Sequence, residues 1–340
     1  MSELPELIQA LFDPKAYPDP PKQIELVQTP ISYVLLADDY VYKIKKPVDM
    51  GFLDFTTLEK RLFYCQKEIE VNRRLCPDAY LGVVPITSDN GRISIDGRGE
   101  VEEYAVKMRR LPQEAMMDVL LTKNKVTREM VADVAGTVAE FHRRAETSDA
   151  ISAFGNLDTV TTNTLDENFG QTAKYAGIII SREKYQYLKD YTSSYLRNNA
   201  ALFDKRVTDG RIRDCHGDLH AAHICFGDSI CIYDCIEFID RLRYIDVAAD
   251  VAFLAMDLDH YGRADLSESF INAYVKESGD EELRQLLDFY KSYRAYVRGK
   301  VACFQYDNPH ISDEEREKTI ATARSYFELA ESYIYNTSSA

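Results

Sequence analysis

The chain has 340 residues, 45% of them apolar, which is enough to bury the core of two domains or of one large two-lobed domain. No apolar run reaches the roughly 18 residues that a membrane span needs, so the sequence predicts no membrane insertion. The 41 basic and 56 acidic residues give a net charge of −15, which argues against nucleic acid as a partner and would tolerate or attract a cationic one.

The seven cysteines follow no spacing that would indicate a disulfide framework. Disulfides are rare in reducing compartments, and scattered cysteines are typical of proteins that stay there. We therefore expect reduced thiols in a cytoplasmic protein.

Three short strands are predicted near the start of the chain, over residues 24–27, 33–37 and 40–46, separated by turn residues. Lys43 and Lys45 are two positions apart on the third strand. Because side chains alternate between the two faces of a strand, both lysines should point to the same face.

A helix should follow. Thr56-x-x-Glu59 has the form of a capping box, and apolar residues continue at helical spacing as far as Leu75. Glu68 and Glu70 lie inside this helix.

Beyond this helix, residues 83–86, 92–95 and 101–108 have the pattern of further strands, and Asn90-Gly91 indicates a hairpin. From residue 113 onward the pattern is mainly helical. The segment 151–170 is polar and rich in threonine, so we expect an irregular lid or substrate loop there.

The most informative stretch contains three of the six histidines within eight residues, in His216-Gly217-Asp218-Leu219-His220 and at His223. An apolar run then ends on Asp234, and Glu237 follows. A loop, a short strand and an acid can bring two acids together, one as a base toward a hydroxyl and the other as a metal ligand. Phosphoryl transfer depends on this kind of positioning and charge neutralisation.

The motif from His216 to His220, together with Asp234 after the next strand, resembles the catalytic loop of the aminoglycoside phosphotransferase and choline kinase families, which are distant relatives of protein kinases. The resemblance implies an α+β, two-lobed, protein-kinase-like fold, with a small antiparallel-sheet lobe over residues 1–108 and a mainly helical lobe over 109–340. It implies that ATP binds between the lobes and that, with Mg²⁺, its γ-phosphoryl group is transferred to a hydroxyl of a sugar, amino sugar or amino alcohol.

The resemblance also implies roles for residues of the central stretch. Asp218 would orient or deprotonate the acceptor hydroxyl. Asp234 would hold Mg²⁺, helped by His223, which occupies the position of a kinase asparagine. Glu237 competes with Asp234 for the ligand role. Asp246 or Asp250 would brace the backbone of the loop.

In the small lobe, the resemblance implies that one strand lysine binds the phosphates and pairs with a glutamate of the following helix. Lys43 is favoured and Lys45 is the alternative, with Glu68 as the partner. Thr29-Pro30-Ile31-Ser32 stands where a glycine-rich loop would be. Backbone N–H groups there, with the Ser32 hydroxyl, would then contact phosphate.

Two other classes of function stay open. The histidine at 223 and the sequence Asp234-Cys235-Ile236-Glu237, in place of Asp-Phe-Gly, are compatible with a nucleotide-binding pseudokinase or regulator. A zinc-binding interaction module is the other alternative, because several residues of the central stretch are possible zinc ligands. These residues are Cys215, His216, His220, His223 and Cys225.

Overall fold

The structure, a computed structural model, describes residues 4–308 and 311–337 and divides into two compact units. The first unit runs through Val119 and also contains residues 222–240, and the second contains residues 120–221 and the chain from Arg241 onward. The sequence divides the chain once, after residue 108, whereas in the structure the first unit extends further and includes a segment from the middle of the chain.

The strands are short except for two of ten residues in the first unit. They run in chain order as β1 (Ile24–Gln28), β2 (Ser32–Ala37), β3 (Tyr40–Lys45), β4 (Tyr80–Asp89), β5 (Arg92–Ile95), β6 (Glu100–Arg109), β7 (Ile212–Asp214), β8 (Ile224–Phe226), β9 (Ile230–Ile232) and β10 (Tyr244–Asp246).

The helices belong mostly to the second unit. They are α1 (Glu6–Ala10), α2 (Leu58–Asn72), α3 (Met117–Thr122), α4 (Arg128–Arg144), α5 (Asp149–Ser152), α6 (Leu157–Thr161), α7 (Glu167–Thr172), α8 (Arg182–Asn198), α9 (Ala200–Thr208), α10 (Val247–His260), α11 (Ala264–Ser278), α12 (Leu283–Tyr306) and α13 (Asp313–Thr337). Among the described residues, no helix combines the length and the apolar content needed to cross a membrane.

The first unit is built on an antiparallel sheet in the order β1-β2-β3-β6-β4-β5. Tyr42 and Ile44 of β3 face one side, where they join a buried cluster with Leu35. Lys43 and Lys45 therefore face the other side, which α2 covers. This confirms the prediction that the two lysines share a face.

The hairpin between β4 and β5 is also confirmed. Asn90 and Gly91 have φ values of 52° and 79°, and Asp89 pairs with Arg92 on either side of them. Two successive positive φ values define a type I′ turn, whose twist matches that of the strands it joins.

Helix α2 begins one residue later than the capping-box pattern predicts. The Thr57 hydroxyl accepts the Lys60 N–H at 3.3 Å and acts as the cap. The Thr56 hydroxyl instead donates to the Asp54 carboxylate at 2.6 Å. Either threonine has the chemistry of a cap, and the competing bond to Asp54 decides between them.

The expectation of seven reduced thiols is wrong for one pair. Cys76, just beyond α2, and Cys231 in β9 form a disulfide. The bond joins the end of the helix that carries Glu68 to the hairpin that precedes Asp234. The remaining cysteines are buried and lie outside any disulfide; they are Cys65, Cys215, Cys225, Cys235 and Cys303.

The second unit is mainly helical, and α10 is buried along most of its length between α11 and α12. The prediction of an irregular segment over 151–170 is wrong, because short helices occupy most of it, with a π-helical turn at Thr162–Asp166. Tertiary contacts support them: the Thr172 hydroxyl lies 2.6 Å from that of Tyr296 in α12.

Candidate active site

Lys43 lies between two carboxylates in the first unit. Its Nζ is 2.8 Å from Oδ1 of Asp234 and 2.9 Å from Oε1 of Glu68. Burial alone would lower the pKa of Lys43, but these carboxylates raise it well above its ordinary value, so the lysine stays charged. The side chain of Asp234 is 39% exposed, whereas Glu68 is buried. Asp234 therefore forms the solvent-facing edge of this cluster.

Lys45 lies deeper in the same cluster and is fully enclosed. Its Nζ is 2.8 Å from Oε2 of Glu68 and also bonds the Glu237 carboxylate. Glu68 thus shares its two oxygens between two lysines, which hold its pKa below the ordinary value although burial opposes this. Glu237 is buried, which raises its pKa, and faces Lys45 rather than solvent. Of the two competing acids, Asp234 is the one that a solvated ligand could reach.

Asp234 is held in an unusual backbone conformation, with φ at 60°. The N–H of Asp234 donates to the Tyr80 hydroxyl at 3.2 Å, and the N–H of Cys235 donates to Oδ1 of Asn72 at 2.8 Å. Left-handed backbone at a residue other than glycine persists where surrounding contacts fix it, often at functional sites. The sequence analysis missed Asn72, although its position four residues after Glu68 places both on one face of α2.

The other two predicted residues of the first unit differ in their placement. His223 has its Nε2 3.6 Å from Oδ2 of Asp234. Ser32 lies opposite Lys45 in the β2–β3 register, and its buried hydroxyl has no hydrogen-bond partner among the described residues. The first unit therefore gathers Lys43, Lys45, Glu68, His223, Asp234 and Glu237, and Ser32 is buried beside Lys45 on the same face of the sheet.

In the second unit, the loop that carries Asp218 is fixed at its start by Asp250, a fully buried acid of α10. Its two carboxylate oxygens accept the N–H groups of His216 at 3.0 Å and Gly217 at 2.9 Å. His142 of α4 lies 3.1 Å from the same carboxylate. Asp250 is therefore the acid that braces the loop, and His142 supports it.

The loop is also held further along. Arg294 of α12 donates to the carbonyl oxygen of Gly217 at 3.1 Å, and Asp257 accepts the N–H of Ala221 at 2.9 Å. Between these anchors, Asp218 keeps 34% of its side chain exposed. An exposed carboxylate on a loop held at both ends has the pre-organisation that a general base needs.

Asp246, the other candidate brace, has a different structural role. It caps α10 by accepting the N–H of Ala248 at 2.8 Å. It also forms a bidentate ion pair with the buried Arg206, at 2.7 and 2.9 Å, and Arg206 in turn bonds Asp280 at 2.6 and 2.8 Å. This triad fixes the start of α10 and hence the position of Asp250.

Asp250 should make the stability of the protein sensitive to acid. Burial would raise its pKa, yet the hydrogen bond to His142 and nearby positive charge lower it to about 2. Because this is below the unfolded value of about 3.9, the stabilisation is present above pH 4 and is lost as the pH falls toward 2. We expect Asp250→Asn to lower the free energy of unfolding by about 2 kcal/mol at pH 7, and by less at pH 3.

Urea denaturation of wild type and Asp250→Asn at both pH values measures this difference. Asp228→Asn, which changes an exposed acid, is the control and should show no such pH-dependent gap. A gap of the same size at pH 7 and pH 3 would contradict the prediction.

One residue considered as a zinc ligand, Cys215, lies in a group whose histidine is already hydrogen-bonded. Cys215 lies beside His142 and Asp250, close enough for the three to share an ion. Both nitrogens of His142 are already engaged, however, by Asp250 and by the hydroxyl of Tyr274 at 2.8 Å. This group is therefore a hydrogen-bonded support for the loop.

The sequence profile of the phosphotransferase enzyme family matches residues 65–289, which include Glu68, Asp218 and Asp234. The match covers more than half of the chain. The protein therefore belongs to the phosphotransferase enzyme family, as its loop motif predicts.

Its curated relatives include uncharacterised proteins of Mycobacterium tuberculosis H37Rv and Mycobacterium bovis. Each is 34% identical over 303 residues, a stretch that covers 88% of this chain and 59% of the relative. The chain thus spans about three-fifths of the length of these relatives.

Among solved structures, an amicoumacin kinase in complex with AMP-PNP, Ca²⁺ and Ami is similar to this chain with a TM-score of 0.53 and 12% sequence identity. The match covers 96% of this chain and 92% of that one. Similarity at this level of identity shows the fold, and it confirms the two-lobed, protein-kinase-like α+β class.

Proposed function

We propose that this protein is a Mg²⁺-dependent kinase that transfers the γ-phosphoryl group of ATP to a hydroxyl of a small molecule. The observation that carries the proposal is the arrangement of Lys43, Glu68 and Asp234. It combines a lysine that stays charged, a buried acid that fixes it and an exposed carboxylate beside it. Phosphoryl transfer requires a cation for the phosphates and an oxygen ligand for the metal.

The residues present fit Mg²⁺ and a nucleotide. Mg²⁺ prefers oxygen ligands, and Asp234 offers an exposed carboxylate, whereas Glu237 is engaged by Lys45. We assign Asp234 as the metal ligand and His223, a softer nitrogen donor, as a neighbour that orients it. Bound there, the metal would neutralise charge on the phosphate oxygens.

Lys43 would bind the phosphates, since its ammonium is the more exposed of the two lysines. Lys45 would act from the interior by holding Glu68 and Glu237 in place. Ser32 would make no contact with phosphate, because its hydroxyl is buried.

Asp218 would accept the proton of the acceptor hydroxyl. As that proton moves to the carboxylate, the hydroxyl oxygen bonds to the γ-phosphorus and the bond from this phosphorus to the bridging oxygen of ADP breaks. The products are ADP and a phosphate monoester, and Asp218 later releases the proton to solvent. A positioned base of this kind contributes about 10²- to 10⁴-fold to the rate.

Thermal unfolding with ATP, with and without Mg²⁺, tests the proposal. A ligand at 100 times its dissociation constant adds about 2.7 kcal/mol of stability, which is readily seen as a raised melting temperature. We expect Mg²⁺-ATP to stabilise the wild type and the Mg²⁺-dependent part of the shift to disappear in Asp234→Ala.

Asp228→Ala is the matched control, because it removes an exposed acid from the turn of the hairpin that leads to Asp234. It should keep the full shift. The absence of any shift in the wild type would refute the proposal, and a shift without transfer to any acceptor would identify a nucleotide-binding regulator instead.

A further inference from the structure

Helix α12 carries a row of cations at Lys291, Arg294 and Arg298, and the first two contact a carboxylate and a loop carbonyl. Lys291 Nζ lies 2.9 Å from the Asp259 carboxylate, and Arg294 donates to the carbonyl of Gly217 in the catalytic loop. Residues four apart lie on one face of a helix. Arg298 therefore follows Arg294 along the face that meets this loop.

The guanidinium of Arg298 is half-buried beside Tyr326, 5.6 Å from the centre of its ring. Within residues 4–308 and 311–337, no carboxylate oxygen lies within 4.0 Å of it. Burial alone would lower its pKa, but Tyr326 and the charges of Asp257 and Asp218 raise the pKa above its ordinary value. Arg298 is thus permanently charged. The charge of Asp218 stabilises its protonated form, although the two side chains do not form an ion pair.

Tyr326 and the charges of Asp257 and Asp218 offset the desolvation of this guanidinium, but none of them is a carboxylate within ion-pair distance. A charge that is partly removed from water loses hydration energy unless a partner compensates for it. The chain has 15 more acidic than basic residues, yet none of the described acids pairs with Arg298. The planar fork of a guanidinium matches a carboxylate or a phosphate group through two parallel hydrogen bonds.

Lys300, a second cation of α12, also has no ion-paired carboxylate among the described residues. Lys300 Nζ bonds the neutral amide oxygen of Asn168 at 2.6 Å, and no carboxylate of the described chain lies within ion-pair distance. Burial lowers the pKa of Lys300 to about 8, against the opposing charge of Glu167. Asn168 and Glu167 belong to α7, which directly follows the π-helical turn at Thr162–Asp166. Such turns are frequent at functional sites.

We infer that the acceptor carries an anionic group, a carboxylate or a phosphate, in addition to the hydroxyl that is phosphorylated, and that Arg298 binds this group. The inference rests on the proposed kinase function and specifies its substrate class. The anion would give Arg298 a close ionic partner in addition to Tyr326. Arg298 follows Arg294 along the face of α12 that holds the loop of Asp218, so the hydroxyl of the same molecule would be directed toward that loop. A cationic acceptor would be repelled by Arg298, whatever the net charge of the whole protein.

The test uses acceptors that share a skeleton and differ in charge. One set is glycerol, 3-amino-1,2-propanediol, glycerate and glycerol phosphate, and the other is glucose, glucosamine, glucuronate and glucose 6-phosphate. ADP release with Mg²⁺-ATP gives kcat and KM for each. We expect the anionic members to have a kcat/KM at least about tenfold above the neutral ones, with the amino members lowest. Comparing kcat/KM between the carboxylate and the phosphate member of each set shows which anion is preferred.

Arg298→Gln should remove the preference by raising KM for anionic acceptors about tenfold or more, with little effect on neutral ones, because a contact remote from the reacting centre contributes uniform binding. Arg298→Lys should retain part of the preference for anionic acceptors. Arg197→Gln, at an exposed arginine of α8, carries the same charge change and should behave as wild type.

Each outcome is decisive. A wild type that binds Mg²⁺-ATP but prefers neutral or amino acceptors, or accepts none of the anionic ones, overturns the inference and leaves the kinase function standing. An equal loss for all acceptors in Arg298→Gln shows a structural role and also overturns it. A wild type that does not bind Mg²⁺-ATP would overturn the proposed kinase function and, with it, this inference.

Discussion

Replacing Asp218 by asparagine should lower kcat by about 10²- to 10⁴-fold, with the thermal shift caused by Mg²⁺-ATP unchanged. The amide has the size of the carboxylate, and the anchors of the loop are made by its backbone and by Asp250. The loop should therefore keep its shape while the side chain loses its ability to accept a proton. Steady-state ADP release with the best wild-type acceptor measures the effect.

Asp228→Asn provides the matched control for this change, because it replaces an exposed acid of a hairpin turn by its amide. Its kcat should equal that of the wild type. If Asp218→Asn kept the wild-type kcat, Asp218 would not be the base, and the proposed mechanism would be wrong.

The largest effect on stability should come from Arg206→Met. Arg206 is fully buried and forms hydrogen-bonded ion pairs with Asp246 and Asp280. Its removal leaves the buried carboxylate of Asp246 without its counter-charge and leaves Asp280 with Arg211, whose Nε is 3.9 Å away. Breaking a buried pair in this way costs about 3–5 kcal/mol, which we expect as a matching fall in the free energy of unfolding. Urea denaturation followed by circular dichroism measures it.

The neighbouring residue offers a control of similar size and charge. Lys205 is exposed and pairs with Asp209 and Glu282 at the surface, where solvent screens the charges. Lys205→Met should leave the denaturation midpoint almost unchanged. Equal midpoints for Arg206→Met and Lys205→Met would show that the buried triad does not stabilise the fold.

The local elements of the first unit could be predicted well from the sequence, because each is determined by neighbouring residues. Alternation in β3 places Lys43 and Lys45 on one face, and Asn90-Gly91 determines its own turn. The segment 151–170 shows the limit of such patterns. Its helices are short and polar, and they depend on contacts with α12 such as that between Thr172 and Tyr296.

The candidate site shows the same limit. The family resemblance indicates which residue types act, but the pairing of Lys45 with Glu237 spans 192 positions, and no local pattern reveals it. The sequence favours Asp234 over Glu237 as the metal ligand without excluding either, and burial separates them. The Cys76–Cys231 disulfide, across 155 positions, is equally invisible to spacing rules.

Net charge alone does not identify the acceptor. The value of −15 suggests a cationic partner, but recognition depends on the few charges close to the reacting groups. Arg298 and Lys300 are cations in an acidic protein, and their significance becomes visible only when their neighbours are known.

The interrupted first unit has a consequence for how the protein is made. Its sheet and α2 are complete before residue 120, but residues 222–240, which supply Asp234 and Glu237, leave the ribosome later. At roughly 5–20 residues per second, the intervening stretch of about 100 residues takes on the order of 5–20 seconds to synthesise. During that interval the nascent chain contains Lys43, Lys45 and Glu68 without two of the acids that neutralise them. The sheet therefore acquires its full electrostatic support only after about half of the helical unit has been synthesised.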